Sequence, residues 1–415
     1  MSQTHAVRAR EEQKVSLLRT VGSAYFVIAF IARLPYAMMV VGVLTIVSSA
    51  RGSISEGGLS SAAVGIGTAC FGALLGAAAD RFGQRRVLVL LAIANSALML
   101  LFAATVYSDA SVGVVLATAF GIGATAPQVA PMSRARLVGV IAEKFAPDRR
   151  ARTVSSTMAY ESAADETVFV LGPFLVGILA AGIAPWAPLV GAAVLTIAFV
   201  SAFALHPTGR RSDQGRDGGR PASPVADLFG ARILVIVVGM FGVGTFFGTT
   251  LTSLTSFMTD RGDGESAGVL YGIMGIGSAA LALGVSVLPA RFTPRARWVV
   301  FAAIMVAGSV LLATAGDIPA MALALGLVGI GIGPTLVTQF SFGAAHSPAG
   351  RSTTVMTMLG SSLIVGQSLG SALAGEVAES AGTAWAVLLP ACAAVLVLAA
   401  GIVNAVLNRP ARVSG

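Results

Sequence analysis

The sequence predicts an all-α, polytopic membrane protein with twelve transmembrane helices, arranged as two pseudo-symmetric six-helix halves. Its composition, the spacing of its apolar runs and an internal repeat each support this prediction. Of the 415 residues, 55% are hydrophobic and only 11% are charged, whereas soluble domains carry about a quarter charged residues. A chain so poor in charge cannot cover a water-facing surface, so we expect it to lie largely within a lipid bilayer.

The apolar runs have the length of membrane-spanning helices, which need about 20 residues to cross the hydrocarbon core. They lie near residues 22–50, 58–79, 87–107, 112–133, 155–181, 185–205, 231–258, 267–288, 298–316, 319–342, 355–377 and 384–406. Trp186, Trp298 and Trp385 each open a run, which is where interfacial indoles are expected.

The basic residues predict the orientation of the chain. Arg33 lies within a span, Arg51 and Arg261 lie on one side, and the other 24 of the 27 Lys and Arg residues lie on the opposite side. Because positive residues favour the cytoplasm, both termini are expected to be cytoplasmic in a multi-pass protein of the plasma membrane. The net charge of +8 therefore reflects topology, and no nucleic-acid partner is predicted.

The chain divides into segments at its polar stretches. A stretch rich in Arg, Gly and Pro separates the sixth and seventh spans and is read as a flexible linker. The predicted segments are a cytoplasmic tail at 1–21, a six-helix half at 22–206, the linker at 207–228, a second half at 229–407 and a tail at 408–415. The first run is too long for a signal peptide, so the first tail is expected to be uncleaved.

The two halves resemble each other at fixed offsets, as expected of a duplicated transporter architecture. The offset is 210 residues in the first four spans of each half and 198 residues after the loop that follows. The matches are Gly65-Ile66-Gly67 with Gly275-Ile276-Gly277, Gly121-Ile122-Gly123 with Gly331-Ile332-Gly333, and Leu171-Gly172 with Leu369-Gly370.

A charged, glycine-marked turn joins the second and third spans. It contains Gly76, Asp80, Arg81, Gly83, Arg85 and Arg86. This turn resembles the loop between the second and third helices of the major facilitator superfamily, whose pattern is Gly-x-x-x-Asp-Arg-x-Gly followed by basic residues. Gln84 departs from the pattern, because a basic residue is more usual there. The resemblance implies a secondary transporter, nearest to bacterial exporters of the drug/proton antiporter type.

The resemblance also implies a gate. In the family, the loop acid engages the cytoplasmic start of the eleventh helix when the carrier opens outward. Here that start is Ser352-Thr353-Thr354, a capped helix N-terminus whose partial positive charge favours the Asp80 carboxylate. The second half has Ala290 at the corresponding position, so only one such contact is expected.

Four ionisable residues lie inside predicted spans, where an unpaired charge costs several kcal/mol. They are Arg33, Glu161, Asp165 and Glu166. Arg33 and Glu166 reach similar depth and are expected to be able to pair. Glu161 and Asp165 share a helix face, whereas Glu166 is rotated about 100° away from Asp165.

One cation cannot face all three acids, so at least one acid must be protonated, hydrated or paired with Arg134 or Arg136. Two interpretations remain open. Either these groups form a fixed ion-pair network, or Asp165 or Glu166 carries a proton during transport, with Glu161 the most structural of the three.

The fifth span contains Gly172-Pro173 followed by Gly177, which partly resembles the glycine-proline motif of superfamily antiporters. Val168 and Val176 replace two glycines of that motif. The partial match favours export. In the fourth span, the motif residue expected to be basic is Ala117, and we hypothesise that Arg33 supplies the missing charge.

The resemblance places the cavity lining on the first, fourth, seventh and tenth helices. Carried onto this chain, the candidates are Tyr25, Tyr36, Gln128, Phe246, Thr250, Thr335 and Gln339, in addition to Arg33. Ordinary helix packing is an equally good reading of the aromatic and threonine residues. An apolar cavity with few polar groups suits a small amphipathic or lipophilic molecule.

Other energy sources and chemistries lack support. Neither Lys14 nor Lys144 follows the glycine pattern of an ATP-binding loop, the three histidines form no metal-binding pattern, and no nucleophile-base pair is readable. We therefore expect no enzyme and no cofactor, with the proton gradient as the energy source and a monomer as the working unit. The predicted partners are a small-molecule substrate, protons and the lipid bilayer.

The expected function is proton-coupled efflux by alternating access. Proton-symport uptake of a nutrient, or a non-transporting receptor or scaffold, are the alternatives.

Overall fold

The computed structural model describes residues 16–209, 223–262, 267–289 and 291–408. Within these residues the regular structure is helical and contains no strand. The expected all-α membrane fold is thus confirmed. A short helix, Leu17–Val21, precedes the first span and is capped by the Ser16 hydroxyl. The predicted linker at 207–228 falls largely on residues 210–222, which lie outside the described ranges.

Twelve helical segments correspond to the twelve predicted spans. They are α1 Ser23–Arg51, α2 Ile54–Phe82, α3 Gln84–Val106, α4 Val112–Lys144, α5 Pro147–Gly182, α6 Ala187–Leu205, α7 Ala231–Thr259, α8 Ala267–Gly284, α9 Pro294–Ala313, α10 Ile318–His346, α11 Ser352–Ser380 and α12 Thr383–Leu407. In the described part of the chain, ten helices are long and apolar enough to cross a membrane, and α8 contributes a shorter apolar helix, Leu270–Gly284.

Helices α1 and α4 are each interrupted near a proline. In α1 the helix ends at Ile31 and resumes at Leu34, so that Arg33 lies at the interruption. In α4 it ends at Ala124 and resumes at Val129. Pro35 and Pro127 lie at these sites, and proline disrupts a helix because it has no N–H and its ring clashes with the preceding turn. Both breaks leave backbone groups free for other partners.

Small residues bring neighbouring helices of each half into backbone contact. A Cβ atom on Gly123 of α4 would lie 1.9 Å from the Val64 carbonyl oxygen of α2. Its repeat counterpart in α10, Gly333, would place a Cβ 2.0 Å from the Ser278 carbonyl oxygen of α8. Such close approach requires glycine. The sequence repeat therefore marks the same kind of contact, α2 with α4 and α8 with α10, in both halves.

The halves meet where α2 packs against α11. A Cβ atom on Gly76 would lie 1.9 Å from the Thr357 hydroxyl oxygen, and one on Gly72 would lie 2.2 Å from the Ser361 hydroxyl oxygen. Helices α4 and α5 also contact the second half, since Ala135, Met158 and Ala159 belong to the apolar core of that half. We call the end of the bundle that carries the Phe82–Gln84 turn the motif end. The two halves are closed against each other there.

Trp298 lies near the start of α9, as expected, but its indole does not lie on the outer surface of the protein. The indole is fully buried in the second half, and its N–H donates to the Val397 carbonyl oxygen at 3.1 Å. Gly239 and Gly401 leave the space that the ring occupies, because Cβ atoms there would lie 2.4 and 2.8 Å from ring carbons. Trp186 and Trp385 are exposed. The burial of Trp298 was not predicted, because its partners come from α7 and α12, which are distant in sequence.

Candidate functional site

Four charged side chains meet at the break in α1. The Arg33 guanidinium donates to the Glu161 carboxylate through Nη2 and to Asp165 Oδ1 through Nη1, the latter at 2.9 Å. Arg134 donates to Asp165 Oδ2 through Nη2 at 2.6 Å. Helices α1, α4 and α5 supply these residues. We call Arg33, Arg134, Glu161 and Asp165 the charge network.

The charge network is balanced, because two arginines face two carboxylates. Arg33, Arg134 and Glu161 are at most 4% exposed, whereas the Asp165 side chain is 22% exposed. Removing one partner of such a buried pair leaves an uncompensated charge, which is costly. Asp165 bonds both arginines and is the most exposed member of the network.

A chain of hydroxyls supports the buried carboxylate. The Ser133 hydroxyl donates to Glu161 Oε1 at 3.0 Å, and the Tyr25 hydroxyl lies 2.9 Å from the Ser133 hydroxyl. Tyr25 itself is fully buried and packs against Phe203 and His206. The other carboxylate oxygen of Glu161, Oε2, accepts from Arg33, so both oxygens have hydrogen-bond partners within the protein.

The loop acid of the motif contacts the start of α11. Asp80 Oδ2 accepts from the Thr354 N–H and from the Thr354 hydroxyl, each at 2.6 Å, and Oδ1 accepts from the Thr353 N–H at 3.3 Å. These are free N–H groups of a helix N-terminus, where a carboxylate is also stabilised by the helix dipole. We call this arrangement of Asp80, Thr353 and Thr354 the gate.

Gln84 links the gate to α4. Its Nε2 donates to the Thr353 hydroxyl at 2.9 Å, and its Oε1 accepts from Arg136 Nε at 3.2 Å. Arg136 also donates to the Phe203 carbonyl oxygen at 2.8 Å and stacks on the Phe203 ring. The described bonds of Arg136 therefore support the motif end, while Arg134 serves the charge network.

The family comparison accounts for this combination of two six-helix halves and a single gate. The model of the Major Facilitator Superfamily matches residues 25–363, which is most of the chain. The chain belongs to the major facilitator superfamily. Membership of this superfamily indicates a transporter rather than an enzyme. No curated protein matches the sequence.

Solved structures of superfamily transporters share the fold over nearly the whole chain. A bacterial homologue of the iron transporter ferroportin in an outward-facing state aligns with a TM-score of 0.74 at 14% identity, covering 94% of this chain and 99% of that one. The human organic anion transporter MFSD10 (TETRAN) aligns with a TM-score of 0.67 at 19% identity, covering 93% and 99%. The proton:xylose symporter XylE aligns with a TM-score of 0.66 at 14% identity, covering 90% and 94%.

The remaining superfamily motif residues shape the turn. Gly83 has φ +94°, a value that favours glycine, and it ends α2 as α3 begins. Arg81 is exposed and its guanidinium lies 5.3 Å from the Phe82 ring centroid. Arg86 is exposed and Arg85 is half-buried.

The fifth-helix motif mediates contact between α5 and α1. A Cβ atom on Gly172 would lie 2.5 Å from the Ala37 Cβ, so glycine permits the close approach of the two helices. A Cβ atom on Gly177 would meet no other atom within 4 Å, so no close contact requires glycine there. The Pro173 side chain lies outside the described part of the structure. The Glu166 side chain also lies outside it, and the carboxylates that Arg33 contacts are Glu161 and Asp165.

The candidate lining residues differ in exposure. Tyr36 is half-buried, whereas Tyr25, Gln128, Phe246, Thr250, Thr335 and Gln339 are buried. Gln128 donates to the Ala126 carbonyl oxygen at the α4 break, and Thr335 donates to Gly331. Both polar atoms of the Gln339 amide lack a hydrogen-bond partner in the described part of the protein.

Three residues at these sites were not identified from the sequence. Phe340 of α10 has its ring centroid 3.9 Å from Arg134 Cζ. Ser133 and Phe340 carry no charge and sit in apolar runs, so no residue-level pattern distinguishes them from packing. Gln84 was noted only as a departure from the family motif. Its position between Arg136 and Thr353 could have been suspected, because a neutral amide there must replace the contacts of a basic residue.

Proposed function

We propose that this protein is a proton-coupled exporter of a small amphipathic or lipophilic organic compound, working by alternating access. The observation that carries the proposal is the balanced charge network, in which the partly exposed Asp165 bridges two buried arginines. Superfamily membership supplies the coarser function, secondary transport. Coupling, direction and substrate class are argued from the site.

Asp165 is the proton carrier in this proposal. While it is ionised, the network is neutral. A proton on Asp165 leaves Arg33 and Arg134 facing Glu161 alone, so the network gains one positive charge in a region that water barely reaches. Buried charge without a partner is costly, and a rearrangement that hydrates an arginine becomes favourable. Proton binding is thus converted into a change of conformation.

The closed motif end supports the direction of transport. We take this end as the cytoplasmic one, as the distribution of basic residues predicts, so in this proposal the described conformation opens outward. In this conformation Asp165 is paired with both arginines. We infer that ionised Asp165 favours the outward-opening state and that a proton from outside favours the inward-opening state. A carrier with this preference moves protons inward, and in our proposal the substrate is carried outward when the deprotonated protein returns to the outward-opening state.

The test uses purified protein in liposomes with an imposed pH gradient and rhodamine 6G, an amphipathic dye, as the probe. The expected result is dye movement against the proton flux, lost in Asp165→Asn and retained in Asp109→Asn, a matched change at the exposed turn after α3. Equal gradient-driven transport in the two variants would refute proton coupling through Asp165.

A second candidate is symport of an organic anion with a proton. It is favoured by the charge count, because a protonated network with one net positive charge matches a monovalent anion. The structure of the human organic anion transporter MFSD10 also shares this fold. Uptake of p-toluenesulfonate accompanied by proton entry into the same vesicles would favour this candidate over export.

A further inference from the structure

The Arg134 guanidinium has two contacts of different kinds. Its Nη2 edge binds Asp165 at 2.6 Å, and its Cζ lies 3.9 Å from the centroid of the Phe340 ring. A planar guanidinium can bind a carboxylate at its edge and an aromatic ring at its face at the same time. Arg134 and Phe340 are both buried, so water does not compete for either contact.

The ring contact crosses between the halves. Arg134 and Asp165 belong to α4 and α5 of the first half, whereas Phe340 belongs to α10 of the second half. Opening the motif end moves the first half away from the second, so the contact between guanidinium and ring is lost. The contact therefore contributes to the closed state and not to the open one.

In the described part of the structure, the helices of the second half that pack against α5 present neutral side chains to the charge network. Helices α8 and α10 pack against α5, and their sequences contain no Asp, Glu, Lys or Arg. Among the side chains that the structure describes, the titratable groups around Asp165 are Arg33 and Tyr36 of α1, Arg134 of α4, and Glu161 and Tyr160 of α5. The side chain of the neighbouring Glu166 lies outside the described part of the structure. His346 of α10 instead contacts the Phe342 carbonyl oxygen and Asn408.

We propose that Phe340 is the positioning residue through which the charge of Asp165 controls closure of the motif end. This inference rests on the proposed function, in which Asp165 takes up the proton. Ionised Asp165 holds the Arg134 guanidinium over the ring. Protonated Asp165 releases Arg134, which then gains more from water than from the ring, and the motif end opens.

The experiment measures closure of the motif end directly. Spin labels are attached at Ala142→Cys and Ala296→Cys, two exposed positions at this end, one in each half. The background carries Cys70→Ser and Cys392→Ser, because both native cysteines are free and exposed. Pulsed electron paramagnetic resonance then gives the ratio of closed to open molecules from neutral to acidic pH.

The expected result is a coupling between two substitutions. At neutral pH, Phe340→Leu lowers the closed-to-open ratio by about tenfold, as loss of a desolvated cation–π contact implies, and Phe340→Tyr retains the ratio. In the Asp165→Asn background, Phe340→Leu changes the ratio by less than about threefold, because Arg134 is no longer held over the ring.

Equal effects of Phe340→Leu in the two backgrounds would show that the ring only fills space and would overturn the proposal. Phe340→Met repeats the comparison if the leucine variant does not fold. A parent protein without any pH response would count against Asp165 as the proton carrier. The comparison of the two backgrounds still decides the role of Phe340 in that case.

Discussion

The Asp80→Asn substitution is expected to open the motif end. The Asp80 carboxylate accepts two N–H groups and one hydroxyl at the start of α11, all belonging to Thr353 and Thr354. Asparagine offers one acceptor oxygen and turns its NH₂ group toward a donor. Hydrogen bonds to a charged group contribute about 1.5–3 kcal/mol each, so losing one corresponds to about 2 kcal/mol, or about a 30-fold increase in the open-to-closed ratio.

The assay follows alkylation of Ser361→Cys, which lies between α2 and α11. The Ser361 hydroxyl has no hydrogen-bond partner in the described part of the chain, so the cysteine removes no described hydrogen bond. A membrane-impermeant thiol reagent is added to inside-out vesicles of a variant that lacks Cys70 and Cys392. Alkylation in the Asp80→Asn variant should accelerate by about 30-fold. An unchanged rate, equal to that of Asp109→Asn, would refute the assignment of Asp80 to the gate.

Three other substitutions have expected outcomes. Gly76→Ala places a methyl group 1.9 Å from a hydroxyl oxygen of α11 and should accelerate the same alkylation, whereas Gly139→Ala, at a glycine with open surroundings, should not. Glu161→Gln removes one of the two carboxylates that Arg33 contacts and should lower the free energy of unfolding by about 3 kcal/mol. The control is Glu143→Gln, which changes an exposed ion pair. Equal melting temperatures of the two variants would contradict the prediction. Trp298→Ala empties a fully buried site and should lower the free energy of unfolding by about 3–5 kcal/mol. Thermal unfolding in detergent measures this loss. An unaltered midpoint would mean that α7, α9 and α12 repack around the space.

The twelve spans could be predicted from the sequence because apolar length is a local property. Their ends were less predictable. The fourth span was expected to end at 133, yet α4 continues to Lys144, and α5 begins at Pro147 rather than at 155. Both extensions contain several charged residues, such as Arg134, Lys144 and Arg149, so an apolar run read from the sequence stops before them. The breaks in α1 and α4 follow from Pro35 and Pro127, but proline alone does not tell whether a span bends or separates into two helices.

The site was partly readable for a similar reason. A charge inside a span needs a partner, and this argument brought Arg33, Arg134 and the acids of α5 into one set. Which arginine meets which acid depends on the rotation of three helices about their axes. Sequence spacing fixes the angle between two side chains of one helix, such as Glu161 and Asp165, but not the angle between helices. The spacing of Arg134 and Arg136, two residues apart on α4, already puts them on opposite faces of the helix, but which of them faces the charge network required the structure.

The charge network belongs entirely to the first half, while the second half offers it an aromatic ring and offers the gate a helix N-terminus. In the proposed mechanism the two halves have unequal tasks, although they share the same repeat: the first half binds the proton and the second half changes position in response. Substitutions that alter proton binding should therefore cluster in α1, α4 and α5. Substitutions in α10 and α11 should shift the balance between the two conformations, and those at Phe340 should also weaken its dependence on pH, while proton binding persists. A chimera that keeps the first half and exchanges the second should still bind the proton at Asp165, and its conformational response should require an aromatic residue at the position of Phe340.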